Sequence, residues 1–248
     1  MSQVALLQKA RIGEADDLAW RRKLAIMCRI LGMQGHIGLF GHISIRVPGT
    51  DVVYITPGAG YEKTTVRADE IFIYDVEGKI HHHPGGDQPL NIPIEWRIHT
   101  QIHQDRPNVG CVAHLHAHAS TLLGIADKPI VPVTARGAIF TEVPVWDNPR
   151  LVMTDEMAKS LSQALGDRLA CQMRGHGSVV VGDTAETALV ACTFIEEDAQ
   201  AQIDAAPLGG ARPLSEAEIA DCGKGGLGVW PKLWSYWEGK VRAAGVPV

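Results

Sequence analysis

The sequence predicts an α/β fold: a single three-layer α/β/α domain over residues 1–248, built on a mixed, largely antiparallel central sheet, with a helical tail over about 213–248. Three observations predict it. Apolar runs of strand length alternate with segments of helical period along the whole chain. The first of these runs are separated by Pro-Gly and Glu-Gly turns, the pattern of an antiparallel meander. With 248 residues, 46% of them hydrophobic and 21% charged, the chain carries enough apolar material for one sizeable core.

From Glu14 to Leu31 the positions Leu24, Met27, Cys28 and Leu31 recur at helical spacing, giving an amphipathic helix that stops at Gly32 and Gly35. Strands are then expected at Ile43 to Val47, Val52 to Thr56 and Ile71 to Asp75. Residues 77–91 (EGKIHHHPGGDQPLN) are polar and rich in Gly, Pro and His, so they read as an exposed loop in which His81, His82 and His83 form a solvated turn. A helix follows from Ile94 to about Asp105, a buried strand from Val109 to His114, a short helix from Ser120 to Ile125 and a strand from Ile130 to Val133. After a Pro-containing stretch at Val145 to Arg150, Thr154 to Leu165 has helical period. Ser178 to Val181 reads as a strand ending at Gly182-Asp183; Thr184 then caps a long helix to about Ile203, with Glu186 near its positive end. Two further helices, Glu216 to Asp221 and Trp230 to Ala243, complete the elements.

A net charge of −5 offers no broad electropositive field, which argues against nucleic acid and anionic membrane as partners. Five cysteines without a C-x-x-C pair are the pattern of reduced thiols. With no signal-peptide pattern at Met1 to Leu7 and no membrane-length apolar window, a cytoplasmic location is expected.

Eleven histidines are many for this length, and their placement matters more than their number. His114 and His116 stand two apart at the end of an expected strand, which turns both side chains to the same side. His176 lies between Gly175 and Gly177 just before another apolar strand, and Glu95 opens a helix after Pro93-Ile94. Three imidazoles and a carboxylate suit Zn²⁺ or Mn²⁺. An isolated H-x-H pair is more often a solvated strand end, so spacing alone leaves both readings open.

A longer ordered pattern extends over most of the chain. It comprises Gly41-His42-Ile43-Ser44-Ile45-Arg46, Ile55-Thr56-Pro57-Gly58, Tyr61-Glu62-Lys63, Glu95-Trp96-Arg97-Ile98-His99, Arg106-Pro107, Val112-Ala113-His114-Leu115-His116 and Gly175-His176-Gly177. This set resembles the class II aldolase/adducin family. The resemblance implies one divalent metal per subunit, Zn²⁺ or Mn²⁺, held by His114, His116, His176 and Glu95, with Glu95 also acting in proton transfer. It further implies a homotetramer in which a C-terminal tyrosine, here Tyr236, completes a neighbour's site. Trp230, Trp234 and Trp237 are read instead as packing or interface residues.

The departures from the family pattern are informative. Its sugar-phosphate aldolases hold phosphate with an Asn, a Thr or Ser in the T-P-x-G turn, and two Ser residues before the Glu. Here those positions carry His42, Gly58, Pro93 and Ile94, three of which offer no side-chain hydrogen bond. A phosphate dianion would lack partners, so an unphosphorylated substrate is expected. His42 with Ser44, Arg46 and Gly58 forms the substrate-binding set, His42 donating to a carboxylate and also serving in catalysis; a structural ion pair at a strand end is an equal alternative for Arg46.

The resemblance is nearer to the branch that decarboxylates hydroxylated aromatic or pyridine dicarboxylates. The expected function is therefore a metal-dependent lyase that decarboxylates a hydroxylated aromatic or heteroaromatic carboxylate. One alternative is an aldolase for an unphosphorylated hydroxy-carbonyl compound; another is a non-catalytic adducin-like interaction module, which has no need of the intact Glu95 and histidine set. His118 is expected at the surface, while Arg136 and Glu142 are left between a pocket role and ordinary ion pairing.

Overall fold

The computed structural model describes residues 2–85 and 90–245. Eight strands form one sheet: β1 His42–Arg46, β2 Val52–Ile55, β3 Phe72–Asp75, β4 Ile80–His82, β5 Cys111–Leu115, β6 Val145–Trp146, β7 Ala170–Met173 and β8 Gly177–Gly182. Their order is β4-β3-β2-β1-β5-β8-β7-β6, antiparallel throughout except for the β6–β7 edge pair. The helices are α1 Gln3–Lys9, α2 Glu14–Met33, α3 Trp96–Asp105, α4 His118–Ile125, α5 Asp155–Leu165, α6 Ala185–Ala205, α7 Glu216–Cys222 and α8 Trp230–Ala243. No described helix is long and apolar enough to cross a membrane.

Strand alternation splits the core between two faces. Along β2, Val52 and Tyr54 join the core under α2 and α6, whereas Val53 and Ile55 face the opposite cluster with Phe72, Tyr74 and Trp96. Along β5, Cys111, Ala113 and Leu115 join the α2–α6 core and Val112 packs with Ile98, Ile102 and Leu161 from α3 and α5. Helices on both faces of one mixed sheet give the expected three layers.

Three strands escape the sequence pattern. β4 lies within the stretch read as a loop, because the Asp75 carboxylate accepts the Glu77 and Lys79 amides and Gly78 takes a positive φ of 86°, closing a β3–β4 hairpin. The His81 ring is therefore buried against Asp75 at 2.7 Å rather than solvated. β6 is two residues long, and β7 contains the buried Gln172, whose amide donates to the Ser120 and Lys128 carbonyls. Conversely, the strand expected at Ile130 to Val133 is irregular. Side chains of α6 replace a partner strand there: Gln202 accepts the Val131 amide, and the buried Asp198 accepts those of Val133 and Thr134.

The N-terminus of α4 is held in a comparable way. Glu196 on α6 accepts the Ala119 amide at 2.5 Å and the Ser120 amide at 2.9 Å. Because this carboxylate serves two otherwise unpaired helix-start amides, Glu196→Ala is expected to lower stability by about 1–3 kcal/mol in chemical denaturation. An unchanged midpoint would show that the cap carries no net stability.

Candidate metal centre

Side-chain parity builds the site. On β1, Ile43 and Ile45 enter the α2–α6 core, which turns His42, Ser44 and Arg46 toward α3. β1 and β5 pair with His42 opposite His114, so His114 emerges on that same face. On α3 and its N-cap, Glu95, His99 and His103 recur every four residues and form one stripe that meets the polar positions of β1.

His116 follows the end of β5, its amide donating to the His36 carbonyl. His176 comes from the tight β7–β8 turn, where Gly175 has φ of 64° and a Cβ on Gly177 would run into the Leu115 carbonyl. The bare glycine lets β8 lie against β5 and delivers the third imidazole. Ring centroids are 4.7 Å apart for His114 and His116, 5.0 Å for His114 and His176, and 5.1 Å for His116 and His176.

Glu95 closes the cluster. Its Oε1 accepts the Val152 amide at 2.7 Å, while Oε2 lies 3.5 Å from Nε2 of both His114 and His176. One ligand atom from each of Glu95, His114, His116 and His176 lies within 4.8 Å of the others. His114 donates its Nδ1–H to the Ser178 carbonyl, so its Nε2 bears a lone pair aimed at a carboxylate oxygen. That Nε2 and both ring nitrogens of His176 are buried without a hydrogen-bond partner among the described residues.

Lone pairs facing one another in a buried site call for a positive centre between them. The 3.5 Å edges are close to the roughly 3.4 Å between ligands expected of a tetrahedral ion with bonds near 2.1 Å. The donor set thus fits a divalent cation. Burial by itself raises the Glu95 carboxyl, whereas the Val152 amide donated to Oε1 favours its ionised form. Burial and the two neighbouring imidazoles lower His116 to about 3, which keeps it neutral and ligating at neutral pH.

The site opens into a small pocket of about 80 Å³. His42, Glu95 and His116 are its titratable lining residues; Phe40, Pro93, Ile94 and Leu151 make most of the rest, and no described lining residue is Lys or Arg.

The class II aldolase and adducin N-terminal domain profile matches residues 22–203. The chain belongs to this family. Among its class II aldolase relatives, the chain is 28% identical over 217 residues to 3,4-dihydroxyphthalate decarboxylase from Arthrobacter keyseri, covering 81% of this chain and 85% of that protein. It is 31% identical over 186 residues to L-fuculose phosphate aldolase from Escherichia coli O6:H1, covering 74% and 82%. An aldolase II superfamily structure from Pseudomonas syringae superposes with a TM-score of 0.81 at 21% identity, over 96% of this chain and 98% of that one.

Within this class II aldolase frame, the sequence-expected residues separate. His42, Glu95, His114, His116 and His176 converge. Ser44 does not reach the pocket: it is fully buried, with Oγ 2.8 Å from His99 Nδ1 and 2.9 Å from His103 Nε2. Arg46 is structural, because its guanidinium donates to the Thr50 and His103 carbonyls and pairs with Asp51. Gly58 has no free group for a ligand; its amide donates to the Asn91 carbonyl, and its own carbonyl accepts the buried Lys63 Nζ at 2.7 Å. Its value is steric, since a Cβ would lie 2.9 Å from the Ile92 carbonyl oxygen.

Tyr236 is 57% exposed on α8, beside Trp237 and Lys240, and does not line its own chain's pocket. Trp234 and Trp237 pack against the main core, while the side chain of Trp230 lies outside the described residues. His118 is exposed; Arg136 pairs with Glu197 and Glu142 with Arg168. Sequence reading missed His99 and His103 as members of this polar layer. Their spacing of four and eight residues from Glu95 is the signal that marks them.

Proposed function

We propose that this chain is a divalent-metal-dependent carbon–carbon lyase that decarboxylates a hydroxylated aromatic or heteroaromatic carboxylate. One observation carries the reading: the pocket beside the Glu95 and histidine cluster has apolar walls and no Lys or Arg among its described lining residues, which suits a flat ring and leaves a phosphate dianion without partners there. The likeness to 3,4-dihydroxyphthalate decarboxylase supports the same branch.

A divalent ion held by Glu95, His114, His116 and His176 supplies Lewis-acid polarisation of substrate oxygens. The chain's own groups do the rest. Phe40, Pro93, Ile94 and Leu151 offer the apolar surface on which the ring is seated. Glu95 is anchored through Oε1 by the Val152 amide, and its carboxylate, shared between ligation and proton transfer, takes the proton of a substrate hydroxyl through Oε2. The same carboxyl returns that proton to the ring carbon as carbon dioxide leaves, which balances the exchange of a carboxylate for hydrogen.

Exposed apolar residues at the pocket mouth, Phe40 at 57% and Ile94 at 59%, support burial against a second copy. We assign the assembly as a homotetramer with Tyr236 reaching a neighbour's site. Five free cysteines, four of them buried, support a reducing, cytoplasmic setting.

The test incubates zinc- or manganese-loaded protein separately with 3,4-dihydroxyphthalate and with L-fuculose 1-phosphate, following carbon dioxide and aldehyde release. Carbon dioxide from the aromatic acid with negligible aldehyde from the ketose phosphate is the expected result. Efficient cleavage of the sugar phosphate would overturn the assignment in favour of an aldolase.

A further inference from the structure

The layer between β1 and α3 contains a continuous file of hydrogen bonds whose proton count can be followed from one end. It begins at the Val109 carbonyl, which has no proton to give, so His103 donates to it through Nδ1–H at 3.2 Å. A neutral imidazole has one N–H, which leaves His103 Nε2 as an acceptor for the Ser44 hydroxyl at 2.9 Å. Having used its single proton, Ser44 Oγ accepts from His99 Nδ1–H at 2.8 Å. His99 Nε2 is then bare and accepts from His42 Nδ1–H at 2.7 Å. The remaining His42 nitrogen, Nε2, is left without a proton, since the ring's one hydrogen bond among the described residues is made through Nδ1, and the ring lines the pocket.

We propose that the Val109 carbonyl, acting through His103, Ser44 and His99, fixes His42 in its Nδ1–H tautomer, so that Nε2 accepts a hydrogen bond from a neutral hydroxyl of the substrate. Only the identity of the hydroxyl donor rests on the lyase reading; the tautomer rests on the file itself. The opposite polarity requires an imidazolium at His103, which complete burial and the neighbouring Arg46 guanidinium oppose, lowering that ring to about 3. The buried Tyr74 hydroxyl makes no hydrogen bond among the described residues, so it does not draw the Ser44 proton away from His103.

This reading gives His42 the opposite role to the expected one of donating to a carboxylate. A carboxylate oxygen would set its lone pair against that of Nε2, whereas an aryl hydroxyl completes the file. His99, Ser44 and His103 are positioning residues, since none of them lines the pocket.

The test has two arms. In zinc-loaded, ¹⁵N-labelled protein at pH 7, long-range ¹H–¹⁵N correlations should show His42 with Nδ1 protonated and Nε2 unprotonated; the signal is assigned by its loss in His42→Gln. Ser44→Ala should give a mixture of the two His42 tautomers, and Ser44→Thr, which keeps the hydroxyl, should restore the single form. In the second arm, catechol should bind about tenfold more weakly to Ser44→Ala than to the parent, with 1,2-dimethoxybenzene binding unchanged.

A parent His42 protonated on Nε2, or a tautomer indifferent to Ser44→Ala, overturns the file. Catechol that fails to bind the parent, or binds no better than its dimethyl ether, overturns the hydroxyl contact. If both arms succeed and no carbon dioxide is released from aromatic acids, the lyase reading alone falls.

Discussion

His114→Ala is expected to remove tight divalent-ion binding and to reduce turnover by well over a hundredfold, while circular dichroism still reports a folded α/β chain. The magnitude follows from where His114 stands. It is fully buried, its Nδ1–H is fixed by the Ser178 carbonyl, and its Nε2 lies 3.5 Å from Glu95. Loss of an outer partner of a metal ligand typically costs about 10–100-fold, and loss of a ligand costs more. Alanine also removes one of the four ligand atoms that lie within 4.8 Å of one another. Metal content by mass spectrometry, read alongside the carbon dioxide assay, checks both halves. A variant that retains one ion per chain and near-parent turnover would remove His114 from the site.

The second large effect is acid lability. His103 is completely buried, and its folded pKa of about 3 lies below the ordinary histidine value of 6.5. The unfolded chain therefore binds a proton that the native state refuses between those values, and stability falls as pH drops through this window. The stabilisation is fully present above about pH 6.5 and is lost progressively toward pH 3. At pH 5 the expected loss from His103 alone is of order 2 kcal/mol. Burial pushes His42 and His99 in the same direction, so the loss at acid pH grows further. Urea midpoints at pH 7.5 and 5.0 measure this effect, and His103→Gln should flatten the difference. A midpoint insensitive to pH in the parent protein would show that the interior imidazoles are not held neutral.

The sheet was legible wherever alternation or turns marked it. Ile43 to Val47 and Val52 to Thr56 match β1 and β2 to within a residue because one face of each is polar or joins a different core. β7 was not legible, since the buried Gln172 interrupts its apolar run and finds its partners only in the tertiary fold. The four converging groups were readable as a set through the resemblance, but the distances between them were not. They depend on the β1–β5 register and on the close approach of β8 at Gly177, both properties of pairing between distant segments. Arg46 and Ser44 show the opposite case. Their motif positions suggested ligand contacts, whereas both share the face of His42 but lie further along β1, where His99, His103 and the His103 carbonyl of α3 take up their polar groups.

Glu196 has a consequence beyond the stability of α4. That helix starts two residues past His116, and its unpaired amides would ordinarily form a cradle for a bound anion. An internal counter-anion already occupies the cradle through the Ala119 and Ser120 amides. The protein has thereby plugged, with its own side chain, the backbone device that many enzymes reserve for phosphoryl groups.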